Sequence, residues 1–335
     1  MVKLSDVAAQ AGVSPAAVSR VLSGDSTVRV SDETRDRILS AARELRYVPN
    51  HAARALRTAR SSAIALVVPE VTSAVFAELA RGTEEGASAR GLTVMLARAE
   101  QLDPASDWLE RLVAEGRVDG VILQVPEGVP FTVGETVPTV VINSQDHGPV
   151  PTVVLDDAAG IRAAVEHLQA LGHQRVGYIG GLPTSATGAR REAGFLAAVA
   201  DFGLQTRDEW MTRLGYSGDD GRAAAADLLA LGTLPSALVV ANLNAALGVL
   251  AGIHASGLRV PDDISLVALH DVWYADATWP PITTVRMPLA ELGQTAVDLL
   301  VGPGPADRPI HITVTSPAPE LMVRASTARL ARLDD

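Results

Sequence analysis

The first sixty residues carry the pattern that most constrains the fold of this chain. Two short helical stretches, 5–11 and 15–22, are separated by only a three-residue turn that begins with glycine. Apolar residues recur at helical spacing on one side of each stretch, so the two helices are expected to pack together. Ser14 can cap the second helix, and Pro15 is tolerated at its first position. This arrangement is typical of a helix-turn-helix, whose second helix enters the major groove of DNA.

A third helix is predicted from Ser31, because the acidic residues that follow it suit the positive end of a helix. Its apolar residues are expected to close a three-helix core, and they are Ile38, Leu39, Ala42 and Leu45. The segment 50–60 is rich in alanine and arginine and has little apolar face. Isolated helices shorter than about 12–15 residues are unstable in water, so we expect this segment to become helical only on DNA.

The first sixty residues resemble the DNA-binding head of the LacI/GalR repressors. The shared residues lie at nearly fixed spacing, at 6–8, 11–14, 18–22, 33–35, 47–50 and 53–58. On the second helix, we expect DNA contacts from Ser14, Pro15, Ala16, Ser19 and Arg20. Farther along, the resemblance adds contacts from Asn50, Ala53 and Leu56. It implies that Leu56 wedges into the minor groove, and the alternative is a flexible linker that carries a stray leucine.

The distribution of charge agrees with a DNA-binding head. The whole chain has a net charge of −11, which is unfavourable for a protein that binds a polyanion. Residues 1–60 carry 10 Lys and Arg against 6 Asp and Glu, a balance of +4, while residues 61–335 carry 18 against 33, a balance of −15. The positive charge is therefore concentrated where phosphates would be met.

Composition and missing motifs exclude several other classes of protein. The chain has no cysteine, which excludes disulfides and thiolate metal sites. It has neither an apolar run of 18 residues nor a signal peptide, so we expect a cytoplasmic protein without membrane contact. No phosphate-binding glycine loop, nucleophile elbow or zinc-protease motif is present. We therefore expect no enzyme activity, no cofactor and no metal.

From Ser61 onward, short apolar runs alternate with segments of helical periodicity. Strands are predicted at 63–68, 93–97, 121–125, 139–142, 153–155, 176–179, 237–240 and 264–269. Helices are predicted at 75–90, 108–115, 160–171, 191–202, 221–231 and 245–255. This alternation indicates parallel sheets covered on both faces, and about 275 residues are too many for one such sheet. The predicted fold is an all-α helix-turn-helix head followed by an α/β core of two lobes with parallel sheets.

The resemblance to LacI/GalR repressors extends through this core, which in that family is similar to periplasmic sugar-binding proteins. We expect a DNA-binding domain at 1–49, a hinge helix at 50–60 and a core at 61–335. One lobe would comprise 61–157 and 286–316, and the other 158–285 and 317–335. Ligands of open α/β sheets bind beyond the carboxyl ends of the strands, so the effector is expected between the lobes.

Six side chains of the core are candidates for effector binding. Arg191 is implied by the resemblance to hold effector oxygens, and a solvated helix residue is the alternative. Asn242 suits a sugar hydroxyl, although an Asx turn explains it equally well. Phe76 would form a wall of the cleft or belong to the core. The remaining candidates are Asn143, Tyr216 and His270.

The cleft also departs from the family. Leu243 and His270 stand where the family often has acidic residues, which makes a simple monosaccharide a less suitable effector. Three aromatic residues follow His270 closely in the sequence, and they either stack on a ligand or pack in the core: Trp273, Tyr274 and Trp279.

Taken together, the residues predict a sequence-specific transcriptional regulator. It would act as a repressor that a small-molecule effector, a sugar or related metabolite, releases from a palindromic operator. A regulator that needs no effector and keeps the core only for dimerisation is the main alternative, and an enzyme or transport protein is another. The last residues lack the leucine heptads of a tetrameric coil, so we expect a homodimer.

Overall fold

The computed structural model describes residues 2–22, 28–47, 60–99, 108–125, 137–144, 149–302 and 310–330. Residues 1–61 and residues 62–335 form two compact units, each of which is described by itself. The predicted hinge helix, with Asn50, Ala53 and Leu56, lies outside the described residues except for its last position. No helix of the described part of the chain is long and apolar enough to cross a membrane.

The first unit contains three helices: α1 (Leu4–Ala11), α2 (Pro15–Leu22) and α3 (Asp32–Glu44). The turn between α1 and α2 depends on Gly12, whose φ of 67° is favourable only without a side chain. Ser14 Oγ accepts a hydrogen bond from the backbone N–H of Ala17 at 3.2 Å and so caps α2. Ser31 caps α3 in the same way, by accepting from the N–H of Thr34 at 3.3 Å.

The core of the first unit is formed by small and branched side chains from all three helices. These are Val7, Ala8, Ala11, Val18, Val21, Ile38, Ala41 and Ala42. The prediction that Leu39 belongs to this core is wrong, because its side chain is 37% exposed. Ala41 takes its place, since the buried stripe of α3 runs through residues 38, 41, 42 and 45 and leaves residue 39 at its border.

The second unit is built from two parallel sheets with helices on their faces. Its strands are β1 (Ala63–Val68), β2 (Thr93–Arg98), β3 (Val121–Leu123), β4 (Thr139–Ile142), β5 (Thr152–Leu155), β6 (Val176–Gly180), β7 (Met211–Arg213), β8 (Ala237–Val240), β9 (Ser265–Leu269), β10 (Thr283–Arg286), β11 (His311–Val314) and β12 (Glu320–Met322). Its helices are α4 (Ala74–Ser88), α5 (Trp108–Ala114), α6 (Asp157–Ala170), α7 (Ala186–Asp201), α8 (Gly218–Leu229), α9 (Leu243–Ala255) and α10 (Leu289–Val301).

The first sheet has the strand order β11-β5-β4-β3-β1-β2 and is parallel throughout. The second has the order β12-β10-β9-β8-β6-β7, in which only β12 is antiparallel to its neighbour. The chain passes between the sheets three times, after β5, after β10 and after β11. The predicted fold class, a helix-turn-helix head followed by a two-lobed parallel α/β core, is confirmed.

Several elements differ from those predicted, and burial explains why. Strands β7, β10, β11 and β12 and helix α10 were not predicted, since the strands are short and contain polar residues. Thr283 and Thr284 of β10 are fully buried, yet their hydroxyls bond Thr327 and Asp271. Helix α7 begins at Ala186 rather than Arg191, because Ser185 caps it through the N–H of Gly188. Strand β2 is largely exposed, because it lies at the edge of its sheet.

Candidate functional site

One side of helix α2 forms the candidate recognition surface of the first unit. Val18 and Val21 are buried against the other two helices, and this directs the opposite side of α2 outward. The residues predicted to contact DNA are exposed or half-buried on that side, namely Ser14, Pro15, Ala16, Ser19 and Arg20. A guanidinium group can bond two acceptors of guanine at once, and small apolar side chains can contact thymine methyl groups.

A cleft with a volume of about 820 Å³ is the candidate ligand site of the second unit. It lies beyond the carboxyl ends of strands from both sheets, where open α/β folds bind their ligands. Loops and helix starts from both lobes line it, including those after β1, β3 and β4 and those after β6, β8 and β9. All six predicted residues line this one cleft: Phe76, Asn143, Arg191, Tyr216, Asn242 and His270.

Sequence reasoning missed several polar residues of the cleft. These are Glu70, Ser73, Gln124, Ser144, Thr187, Ser217 and Asn244. Asn244 lies two residues after Asn242, and Gln124 is the penultimate residue of the strand predicted at 121–125, so both had a positional signal. The structure also separates three aromatic residues: Tyr274 lines the cleft, whereas Trp273 and Trp279 are 78% and 86% exposed and do not belong to the core.

Arg191 is buried, and the alternative of a solvated helix residue is wrong. Its side chain donates to Asp157 Oδ1 at 2.8 Å, to the carbonyl oxygen of Ala241 at 2.5 Å and to His270 Nε2 at 2.9 Å. Burial alone lowers the pKa of Arg191, but Asp157 and neighbouring groups raise it above its ordinary value, so the guanidinium stays charged. Each of the three guanidinium nitrogens of Arg191 therefore has a hydrogen-bond partner within the protein. Arg191 is thus a fixed part of the cleft wall.

Asp157 connects two arginines behind this wall. Its Oδ2 accepts from Arg190 Nε at 3.0 Å, while its Oδ1 accepts from Arg191. Asp157 has only 1% of its side chain exposed. One buried carboxylate therefore faces two guanidinium groups, so these three side chains together carry one net positive charge.

His270 lies directly after β9, with a φ of 70° and 3% of its surface exposed. Burial and the charge of Arg191 hold the pKa of His270 well below its usual range, so the imidazole is neutral. Arg191 can only donate, so His270 Nε2 must accept and Nδ1 must carry the proton. Among the described residues, His270 Nδ1 has no hydrogen-bond partner. A buried unpaired donor costs about 1–3 kcal/mol, which is a reason to expect an acceptor from outside the chain.

The two asparagines use their oxygens for the backbone. Asn242 Oδ1 accepts from the N–H of Asn244 at 2.7 Å and caps α9, as the Asx-turn alternative predicts. Asn143 Oδ1 accepts from the N–H of Leu155 at 3.2 Å. The NH₂ group of each side chain therefore remains as a donor for a ligand.

Hydrogen bonds join the two lobes across the cleft. Thr187 Oγ1 donates to the carbonyl oxygen of Asn143 at 2.7 Å. Asn244 Nδ2 donates to Ser73 Oγ at 2.8 Å, and the Asn244 amide is held within its own lobe by Tyr274 Oη, which donates to Asn244 Oδ1. The contacts between the lobes hold loops of both sheets around the cleft.

Aromatic side chains complete the walls. Phe76 is half-buried on α4 and packs against the core of the unit while lining the cleft, so both of its predicted roles fit its position. The Tyr216 ring lies 5.8 Å from the Arg191 guanidinium carbon. No group of three or more His, Cys, Asp and Glu that could hold a metal occurs in the part of the chain that the structure describes.

Comparisons with known proteins cover both units. Residues 3–50 match the model of bacterial regulatory proteins of the lacI family, and residues 165–327 match that of a periplasmic binding protein-like domain. The HTH-type transcriptional repressor PurR of Mannheimia succiniciproducens is 31% identical over 342 residues, which cover 99% of this chain and 100% of that protein.

Solved structures agree with these matches. A LacI family transcriptional regulator from Mycobacterium smegmatis is 40% identical with a TM-score of 0.72, over 79% of this chain and 99% of that one. The Lac repressor dimer bound to operator and the anti-inducer ONPF is 28% identical with a TM-score of 0.77, over 98% of this chain and 99% of that one.

Proposed function

The chain belongs to the LacI family of bacterial regulatory proteins, and we propose that it represses transcription from a palindromic operator under the control of a small-molecule effector. Its similarity to PurR and to the Lac repressor extends over nearly the whole chain, which supports a regulator with both a DNA-binding and a ligand-binding part. The proposal rests on the presence of a DNA-binding part and a ligand-binding part in one chain.

Recognition of the operator is assigned to the exposed side of α2. Arg20 provides a bidentate donor for guanine or a phosphate contact, and Pro15 and Ala16 provide apolar contacts to base edges. Ser14 and Ser19 are assigned to phosphates. Asn50, Ala53 and Leu56 stay predictions from the sequence, because they lie outside the described residues.

Effector binding is assigned to the cleft between the lobes. A cavity of about 820 Å³ is within the range of roughly 300–1,000 Å³ that is usual for small-molecule sites. Its walls combine aromatic surface with polar groups from both lobes, and a core kept only for dimerisation would not need them. This observation favours an effector-controlled regulator over the effector-independent alternative.

We also assign the active form to a homodimer. One head makes too few base contacts to distinguish a single operator from the rest of the DNA. Two heads on a palindromic site double the number of base contacts. The Lac repressor, which matches over 98% of this chain, binds its operator as a dimer. The acidic second unit would limit non-specific contact with DNA, since it carries a balance of −15.

The test is selection of binding sites from random duplex DNA by the full chain. The expected result is enrichment of a palindromic sequence that the protein binds in a gel-shift titration, with affinity that falls steeply as salt rises. Sedimentation of the free protein and of the complex should give two chains in each. Enrichment of no palindrome, or a monomer bound to the selected DNA, would contradict the proposal.

A further inference from the structure

Two neighbouring strand ends present donors at the floor of the cleft on the side of the second sheet. Strands β8 and β9 are paired in parallel with Val240 opposite Ala268, and Asn242 and His270 each stand two residues farther along. Neighbouring strands lie about 4.8 Å apart, so we expect these two residues to be close neighbours at this edge of the sheet. Both residues line the cleft.

The hydrogen-bonding role of His270 is fixed by Arg191. The contact of 2.9 Å between Arg191 Nη2 and His270 Nε2 requires a lone pair on the histidine nitrogen, because a guanidinium has no acceptor. The proton of the neutral ring is therefore on Nδ1. This N–H belongs to a side chain that is almost completely buried, and it has no partner among the described residues.

The role of Asn242 is fixed by the helix that it caps. Its Oδ1 accepts from the N–H of Asn244 at 2.7 Å, which orients the amide and leaves its NH₂ group as the remaining donor. Each of the two residues thus keeps a donor for a ligand, the Nδ1–H of His270 and the NH₂ group of Asn242.

Charged groups lie behind His270, because Arg191, which donates to it, is paired with Asp157. Arg190 and Arg191 share the single carboxylate of Asp157, at 3.0 Å and 2.8 Å. Glu70 also lines the cleft, but it is exposed and is held by the N–H and hydroxyl of Thr72. The end of the cleft at β8 and β9 therefore presents two donors beside the charged guanidinium of Arg191, which suits a carboxylate.

The opposite lobe presents an acceptor that needs a hydrogen-bond donor from the ligand. Gln124, which follows β3, lines the cleft with a buried side-chain oxygen that has no partner in the described part of the chain. A hydroxyl group would satisfy it, while the half-buried Phe76 offers apolar surface for the carbon skeleton.

We propose that the effector is a small hydroxylated carboxylic acid, such as an aldonate or a uronate, whose carboxylate accepts from His270 Nδ1 and Asn242 Nδ2. The assignment rests on the proposed function, since it names the ligand of the same cleft. A neutral sugar would supply no anion to this pair of donors.

Calorimetric titration of the full chain with matched pairs tests the assignment. The probes are gluconate and glucuronate against glucose, galactonate and galacturonate against galactose, and glycerate against glycerol. The expected result is binding of at least one acid with a dissociation constant at least tenfold lower than that of its neutral partner. Failure of every acid to bind, or equal affinity for the neutral partner, overturns the assignment.

Two variants locate the carboxylate. Asn242→Asp keeps the oxygen that caps α9 and replaces the donor by a second acceptor, so folding is preserved while acid binding should fall at least tenfold. His270→Asp should have the same effect and still accept from Arg191. His254→Asp changes an exposed histidine on α9 and should leave acid affinity unchanged. Acid affinity within threefold of the parent in both cleft variants overturns the assignment.

Operator binding is measured on the same preparations. A parent protein that binds its selected operator but no acid overturns only the assignment of the effector. A parent that binds an acid but selects no DNA site contradicts the proposed regulatory function instead.

Discussion

Buried charge is concentrated at a few residues of the second unit. Arg191 and Asp157 have 4% and 1% of their side chains exposed, and an isolated charge at such depth would be very unfavourable. Their ion pair persists because each group also bonds other partners, which is the condition under which a buried pair is tolerated. Removing one partner would leave the other unpaired, so these positions are expected to tolerate substitution poorly.

Asp271 is a second such residue, and its charge should make the fold sensitive to acid. Burial alone raises the pKa of Asp271, but hydrogen bonds from Thr284, Arg286 and Arg324 lower it below its ordinary value. A folded-state pKa below the unfolded value of about 3.9 means that ionised Asp271 stabilises the fold above about pH 4. This contribution is lost as the pH falls through the folded-state pKa.

The variant Asp271→Asn should therefore lower the free energy of unfolding by about 1.5–3 kcal/mol at pH 7. The difference from the parent should shrink below about pH 4, as measured by urea unfolding across the pH range. Asp262→Asn, which alters an exposed ion pair with Arg259, is the control and should change little. A difference that is constant with pH would contradict the role of the charge.

We propose that Arg20 is the residue of α2 on which base recognition depends most. Replacing Arg20 by Ala should weaken binding to the selected operator by about 1–3 kcal/mol, since a bidentate donor is lost. Gel-shift titration at fixed salt measures the change, and Arg259→Ala in the second unit is the control for loss of one positive charge. Unchanged affinity of the Arg20 variant would remove this residue from the interface.

At the scale of elements, helices α8 and α9 pack unusually closely because glycines face one another. A Cβ added at Gly248 of α9 would lie 1.8 Å from the carbonyl oxygen of Gly218, and one at Gly221 would lie 1.9 Å from that of Ala245. Only glycine permits such an approach of two backbones. This contact positions α9, whose first residues form part of the cleft.

The variant Gly248→Ala should destabilise the second unit despite the better helix propensity of alanine. Propensity favours alanine by about 0.8–1 kcal/mol, but the backbone contact forces α8 and α9 apart, at a cost of about 1–3 kcal/mol or more. Urea unfolding measures the change. Gly232→Ala is the matched control, because a Cβ there meets nothing within 4 Å. Equal stability of the two variants would show that the helices adjust without cost.

At the scale of the whole molecule, the response to effector requires that the cleft influence the DNA-binding head. The segment 50–60 lies in the sequence between the three helices of the head and the second unit, and we expect it to become helical on DNA and to insert Leu56 into the minor groove. Effector would then act by separating the paired segments of a dimer. An inserted side chain bends DNA and adds specificity through the deformability of the central step.

Leu56→Ala should weaken operator binding and reduce the DNA bend, while sedimentation and effector binding stay unchanged. Circular-permutation gel shifts measure the bend. Leu196→Ala, which alters an exposed leucine on α7, is the control and should leave both properties unaltered. If the Leu56 variant bends and binds the operator like the parent, the segment acts only as a linker.

The sequence by itself determined the features that depend on local pattern. Helical spacing, the cap at Ser14 and the glycine turn predicted the head, and apolar runs predicted the strands with continuous burial. The same reasoning missed β10, because its buried Thr283 and Thr284 are satisfied by distant partners. It also assigned Leu39 to the core, since one turn of a helix does not show which border residue the neighbours cover.

Only the tertiary structure decided the chemistry of the cleft. The six candidate residues could be found from their places after strands or on helices, but their hydrogen-bond partners could not. Arg191 and His270 are 79 positions apart, and their contact determines which nitrogen of the imidazole carries the proton. Hydrogen-bond polarity is a property of the pair rather than of either residue, because each donor is defined by the acceptor that the fold brings to it.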